Sequence, residues 1–190
     1  MKRIFTAIDI SEEVRARVSE SVETLGREFP NIRVGWEKPE KLHLTLKFLG
    51  DINEIQLRNL TYAVAQTAKQ IANFNLQIVG TGVFPSMRNA RILWLGLKDE
   101  KGNLTHLNEI FENECENLGF TREKRNFKPH LTIARLREPQ KSRELSEKHL
   151  SNNFQSEGFN INQIVIYESV LKPTGSVYTV VSSHKFSDNL

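Results

Sequence analysis

Two stretches of the chain have the residue types and spacing to do chemistry together. They are HLTLKFLG, from His43 to Gly50, and HLTIARLR, from His130 to Arg137. Each begins His, Leu, Thr and then an aliphatic residue. A β-strand points successive side chains to opposite faces, so His43 and Thr45 share one face while Leu44 and Leu46 share the other. His130 and Thr132 stand in the same way opposite Leu131 and Ile133. The chain thus builds one device twice: an imidazole and a hydroxyl side by side, anchored from behind by two aliphatics. Strand repetition alone asks for apolar residues, not for His and Thr on the polar face.

Two imidazoles and two hydroxyls suit the splitting of a phosphodiester without a metal. One neutral His takes a proton from the attacking water, and the other, protonated, gives one to the departing oxygen. Imidazole fits either role near neutral pH. The hydroxyls of Thr45 and Thr132 can donate to the non-bridging phosphate oxygens, where charge is held through the displacement. In-line attack puts the entering and leaving oxygens on opposite sides of phosphorus, so the two histidines are expected to approach from opposite sides. Nothing in the residues themselves assigns acid and base.

Other chemistries recruit no motif. Two histidines without an Asp, Glu or Cys at ligand spacing make a poor zinc site, and HExxH is absent. No GxSxG, GxxxxGK[ST] or GxGxxG occurs either. Cys115, the only cysteine, falls on the apolar stripe of a predicted helix, which argues against a nucleophile and leaves no disulfide within the chain. His106, His149 and His184 share no such context and read as structural.

The 190 residues suit one domain, 1–190, with 38% hydrophobic and 26% charged residues, as in an ordinary globular protein. A net charge of +3 permits an anionic substrate without demanding one. Asp9 interrupts the opening apolar run too early for a signal peptide, so the start reads as a first strand and the expected compartment is the cytosol. Ser11 then caps a helix with Val14, Val18, Val22, Leu25 and Phe29 on one stripe, ended by Pro30. Ile32 to Trp36 reads as a strand leading into the first motif. Asn53 caps a second helix, through Leu57, Leu60, Val64, Ala68 and Ile71. Phe74 to Phe84 and Arg91 to Leu97 read as a hairpin, with Gly80 and Gly82 marking a bulge or a close backbone approach. A third helix carries Leu104, Leu107, Phe111, Cys115 and Leu118 inward and stops at Gly119. Thr121 to Lys128 is a basic loop before the second motif, and it and Lys47 are candidates for steering an anionic partner. Pro139 to Asn153 is polar, with one short helix. Phe159 to Tyr167 and Ser176 to Ser183 read as the last two strands, with a turn at Pro173 to Ser176. Strands and helices intermingle with hairpins, which predicts an α+β fold: a bilobal, pseudo-two-fold pair of antiparallel sheets flanked by helices, the motifs facing across a central cleft.

The two His-x-Thr-x motifs, together with RIFTAIDI at the start, Trp36 to Leu42, Lys47 to Gly50, Phe84-Pro85, Arg91, Leu93 to Gly96, Pro129, Arg135, Glu168-Ser169, Gly175 and Tyr178, resemble the 2H phosphoesterase superfamily. Within it, the RNA 2′,3′-cyclic phosphodiesterases, also called 2′-5′ RNA ligase-like proteins, are the most similar. The resemblance spans nearly the whole chain. It implies metal-independent, cofactor-free opening of a terminal 2′,3′-cyclic phosphate on RNA to a 2′-phosphate, with His43 as proton donor and His130 as proton acceptor. It also implies reversible 2′-5′ RNA ligation in some members, and partners that are RNA ends, tRNA halves among them. We expect a monomer. The same site could act instead on small cyclic nucleotides, 2′-5′ oligonucleotides or ADP-ribose cyclic phosphate, or hold RNA ends without turnover. Arg135 sits where the family has a phosphate-pairing arginine, yet strict alternation puts it on the face opposite His130; it reaches the cleft only if the strand ends, twists or bulges after Ile133. Trp36, Phe48 and Trp94 are candidates to stack a base, with core packing expected for at least two.

Overall fold

The computed structural model describes residues 1–173 and 175–187. In chain order the elements are strand β1 (Lys2–Asp9), helix α1 (Glu12–Glu28), β2 (Val34–Trp36), β3 (His43–Ile52), α2 (Glu54–Lys69), β4 (Phe74–Phe84), β5 (Ile92–Lys98), α3 (Asn103–Asn117), β6 (Leu131–Leu136), α4 (Arg143–Leu150), β7 (Gln155–Ile161), β8 (Gln163–Lys172) and β9 (Gly175–Lys185). The α+β class and the helical stripes follow the sequence pattern. Ser11 accepts from Val14 N at the start of α1, and Asn53 with Gln56 closes a full capping box on α2. The third helix is capped from further back: both carboxylate oxygens of Asp99 accept from Asn103 N and Leu104 N. Thr174, in the expected turn from Pro173 to Ser176, lies outside the described residues.

The strands join in the order β7-β4-β5-β6-β3-β1-β8-β9, with every strand ladder antiparallel and β2 added to β6. The two expected sheets are the two halves of this array, β7-β4-β5-β6 and β3-β1-β8-β9. They meet at one recorded Cα pair, Leu44↔Leu131. The reason is visible along β6. Beyond Leu131 its edge is taken by β2, through Val34↔Leu136 to Trp36↔Ala134, and Glu37 N continues this pairing to Ile133 O at 2.9 Å. Strand β3 therefore leaves β6 after one pair, and the sheet opens there into a cleft.

One strand expectation divides in two. Phe159 to Tyr167 contains the end of β7, on the β4 edge, and the start of β8, between β1 and β9. Two consecutive polar residues, Asn162 and Gln163, break the apolar alternation at the crossing, and Asn162 O accepts from Phe186 N at 2.8 Å. The helices pack behind: α1 against β7, α4 against β4, and α2 against α3, β8 and β9. Leu44, Leu46, Leu131, Ile133 and Ala134 point into this core, each at most 5% exposed. At Gly82 the Trp94 ring lies so close that an added Cβ would come within 2.0 Å of it, and Gly80 takes φ +79°, so the paired glycines give both a close approach and a bulge. No helix among the described residues is long and apolar enough to cross a membrane.

Candidate active site

The Leu44↔Leu131 pair joins the residues that follow the two motif histidines. Antiparallel register continued from it sets His43 across from Thr132 and His130 across from Thr45. The four motif side chains thus form a quadrilateral about an approximate two-fold axis. All four line one cavity, with Phe5, Glu37, Lys41, Phe48, Arg135, Ser169 and Tyr178.

The two imidazoles are held alike. His43 Nδ1 lies 2.6 Å from Lys41 O, and His130 Nδ1 lies 2.7 Å from Lys128 O, each a carbonyl two residues back. A carbonyl oxygen only accepts, so both Nδ1 atoms carry hydrogen and both Nε2 atoms are left to hold or take a proton. A phenylalanine ring stands 4.9 Å from each imidazole, Phe5 beside His43 and Phe84 edge-on to His130. His43 Nε2 is 3.2 Å from Thr45 Oγ1.

Matching bulges then direct the residues after each motif. Between β1 and β3, Thr6 pairs with Lys47 and Ala7 with Thr45, so Leu46 is the extra residue. Between β5 and β6, Leu93 pairs with Ala134 and Trp94 with Thr132, so Ile133 is extra. Each bulge sits at the fourth motif position and flips the alternation beyond it. Lys47 and Ala134 turn into the core, while Phe48 and Arg135 turn onto the histidine face. Arg135 does reach the cleft, by the bulge that strict alternation omits. Its Nε donates to Glu37 Oε1 at 3.2 Å, which leaves the rest of the guanidinium for a ligand.

The same flip corrects the expectation for Lys47. It is 9% exposed and donates to Glu112 Oε1 and Oε2 at 2.8 and 2.6 Å and to Thr121 O at 2.9 Å. Lys47 is a buried tie between β3, α3 and the following loop, and steers nothing. In that loop Arg122 pairs with Glu116 and Arg125 with Glu123, which offsets much of its basic charge. Of the three aromatic candidates, Phe48 alone lines the cavity; it is 53% exposed, with Arg3 stacked 4.9 Å over its ring. Trp36 packs over Gly26, and Trp94 over Gly82.

Sequence reading passed over the supports of His43. The Arg15 guanidinium donates to Pro39 O and Leu42 O, on either side of the Lys41 carbonyl that holds Nδ1. Asp9 is the cross-strand partner of His43, and its carboxylate accepts from Tyr167 Oη. Burial pushes the His43 pKa below its ordinary value; the Lys41 carbonyl and the Asp9 carboxylate oppose this, and Arg15 and Arg135 add to it. Burial and the Glu37 carboxylate push the Tyr178 phenol up, so it stands as a donor at neutral pH. Elsewhere, burial pushes the Cys115 thiol up to about 12, which leaves it inert. His149 is buried, and its Nε2 donates to Gly82 O and Trp94 O, so it fastens α4 to β4 and β5.

With this geometry in view, the profile of the LigT like Phosphoesterase family matches the chain twice, over residues 8–94 and 95–178, one motif in each copy. The chain belongs to the LigT-like phosphoesterase family. Among its relatives, an RNA 2′,3′-cyclic phosphodiesterase of Methanothermobacter thermautotrophicus is 33% identical over 93% of this chain and 95% of its own. One from Thermotoga maritima is 32% identical over 99% and 97%. The crystal structure of TT0787 from Thermus thermophilus superposes with a TM-score of 0.80 at 28% identity, covering 97% of both chains. E. coli LigT, crystallised with 3′-AMP, gives 0.76 at 21% identity over 98% of each chain, a likeness of fold.

Proposed function

We propose that this LigT-like phosphoesterase opens a terminal 2′,3′-cyclic phosphate on RNA to a 2′-phosphate by paired-histidine acid–base catalysis without a metal. The observation that carries the reading is the mirrored pair of imidazoles, each with Nδ1 committed to a carbonyl and Nε2 left to the shared cavity. His130 Nε2 takes a proton from water as the water oxygen bonds to phosphorus. The P–O3′ bond breaks, and His43 Nε2–H supplies the proton to O3′. Thr45, Thr132 and Arg135 hold the non-bridging oxygens, and the Tyr178 hydroxyl is a further donor at the rim. With a 5′-hydroxyl in place of water, the same transfers join a 2′-5′ linkage, and run backward they open it.

The depressed pKa of His43 runs against an imidazolium in the empty site. The substrate brings its own remedy. A phosphodiester anion adds a negative charge beside the ring and neutralises Arg135, one of the cations that push the pKa down. Donor competence thus rises with binding. Phe48, exposed at the cleft, supports stacking of a base next to the phosphate. The names of the relatives support RNA as the substrate class. The lone cysteine supports cytosolic residence, and we take the working unit to be a monomer acting on ends such as those of tRNA halves. The test is an oligoribonucleotide ending in 2′,3′-cyclic phosphate, incubated in EDTA with wild type, His43→Ala and His130→Ala. Cleavage by wild type alone is expected. Unchanged substrate, or activity surviving both substitutions, rejects the reading.

A further inference from the structure

The Nδ1 anchors do not distinguish the two histidines. Both Nδ1 atoms rest on carbonyls two residues back, both rings sit 4.9 Å from a phenylalanine ring, and both have a threonine two residues on. A difference in charge lies on the neighbouring strands. Beside β3, strand β1 ends on Asp9, the Cα partner of His43. Beside β6, strand β5 continues from Leu95, the partner of Leu131, into Gly96, which has no side chain to offer. The Asp9 carboxylate is also fixed: Tyr167 Oη donates to both of its oxygens, at 2.8 and 2.9 Å, and the Tyr167 ring stacks on Phe5 at 5.2 Å, which in turn meets His43.

We propose that Asp9, pinned by Tyr167, is the positioning residue that makes His43 rather than His130 the proton donor, by holding the positive charge of the His43 imidazolium on the strand beside it. The proposal rests on the acid–base reading above. Asp9 neither gains nor loses a proton; Nε2–H goes to the leaving oxygen while Nδ1–H stays on Lys41 O. The charged and titratable groups around His43 are Asp9 on β1, Arg15 on α1, Glu37 just after β2, Lys41 in the turn before β3, His130 just before β6, Arg135 on β6, Tyr167 on β8 and Tyr178 on β9. Among the carboxylates, Asp9 is the one that favours the charged imidazole, against burial and two arginines. Tyr167 stays a phenol, because burial and the Asp9 charge push its pKa up.

The experiment is NMR titration of the His43 and His130 rings in wild type and Asp9→Asn, with pH–rate profiles on the cyclic-phosphate oligonucleotide. In Asp9→Asn the His43 midpoint falls by about one pH unit or more, which is about tenfold less imidazolium at a given pH, and the His130 midpoint stays. The alkaline limb of kcat falls with it, the acid limb holds and KM changes little. A His43 midpoint that does not move, or a His130 midpoint that moves equally, overturns the proposal. Should the variant not fold, wild type carries the test: the Asp9 carboxyl carbon resonance steps at the His43 midpoint, and its failure to do so overturns the proposal. An inactive wild type counts against the phosphodiesterase reading, whereas an unmoved His43 midpoint in an active enzyme counts against Asp9.

Discussion

In the proposed reaction His43, His130 and Arg135 ask different things of the same phosphate, and their substitution separates them. Loss of either imidazole removes one proton transfer, typically roughly 10²–10⁴-fold in rate, so His43→Ala and His130→Ala should each lower kcat by that order with the fold intact by circular dichroism. Arg135 contributes charge-assisted hydrogen bonds, each worth about 2 kcal/mol, or roughly 30-fold. Arg135→Ala should therefore cost about that factor in kcat/KM, and Arg135→Lys should recover only part, since an ammonium lacks the planar fork that binds Glu37 and phosphate together. Both motif histidines were legible from the doubled His-x-Thr-x. Arg135 was legible only by likeness, because period-two alternation assigned it to the wrong face. Asp9 and Arg15 left no signal of their own, since a strand-end carboxylate and a helix arginine are ordinary until the register places them beside His43.

At the scale of the elements, the two bulges carry the site. Each adds one residue at the end of a motif, which keeps His and Thr in the cleft and still delivers Phe48 or Arg135 to it. No glycine marks either bulge, since Leu46 and Ile133 supply the extra residue, so composition gave no warning. The cost falls on Lys47, turned into the core and held there by Glu112. Breaking one half of such a buried pair strands the other charge, typically at about 3–5 kcal/mol, whereas replacing both by apolar residues can be near neutral. Urea unfolding should show Glu112→Gln destabilised by that amount, and Lys47→Met/Glu112→Leu substantially recovered. A double variant no better than the single would mean the pair does not behave as a coupled buried unit. Helices and hairpins were legible because caps, apolar stripes and turn residues agree locally. The β7–β8 crossing was missed because two polar residues in an apolar run read as exposed strand positions.

Across the whole molecule, the halves meet at Leu44 and Leu131 and are covered by helices that buried residues fasten in place. His43, His149 and His184 all have pKa values pushed below the ordinary imidazole value of 6.5 by burial. The unfolded chain binds their protons first, so the stability that comes from keeping them neutral is present above pH 6.5 and lost as pH falls through the folded-state values. Thermal melts should show Tm falling from pH 7 toward pH 5, with a weaker fall in His149→Gln measured against its own pH 7 value. The pseudo-two-fold arrangement was legible from two motifs nearly half the chain apart; the shared seam was not, because a single pair of leucines defines it. That seam gives the two Nε2 atoms a common target, and in the proposed reaction one frees O3′ while the other activates water. The most direct measurement is the position of the phosphate after cleavage of a 2′,3′-cyclic phosphate oligonucleotide in EDTA, read by ³¹P NMR. A 2′-phosphate with a free 3′-hydroxyl is the predicted product; a 3′-phosphate would overturn the assignment of O3′ as the leaving group.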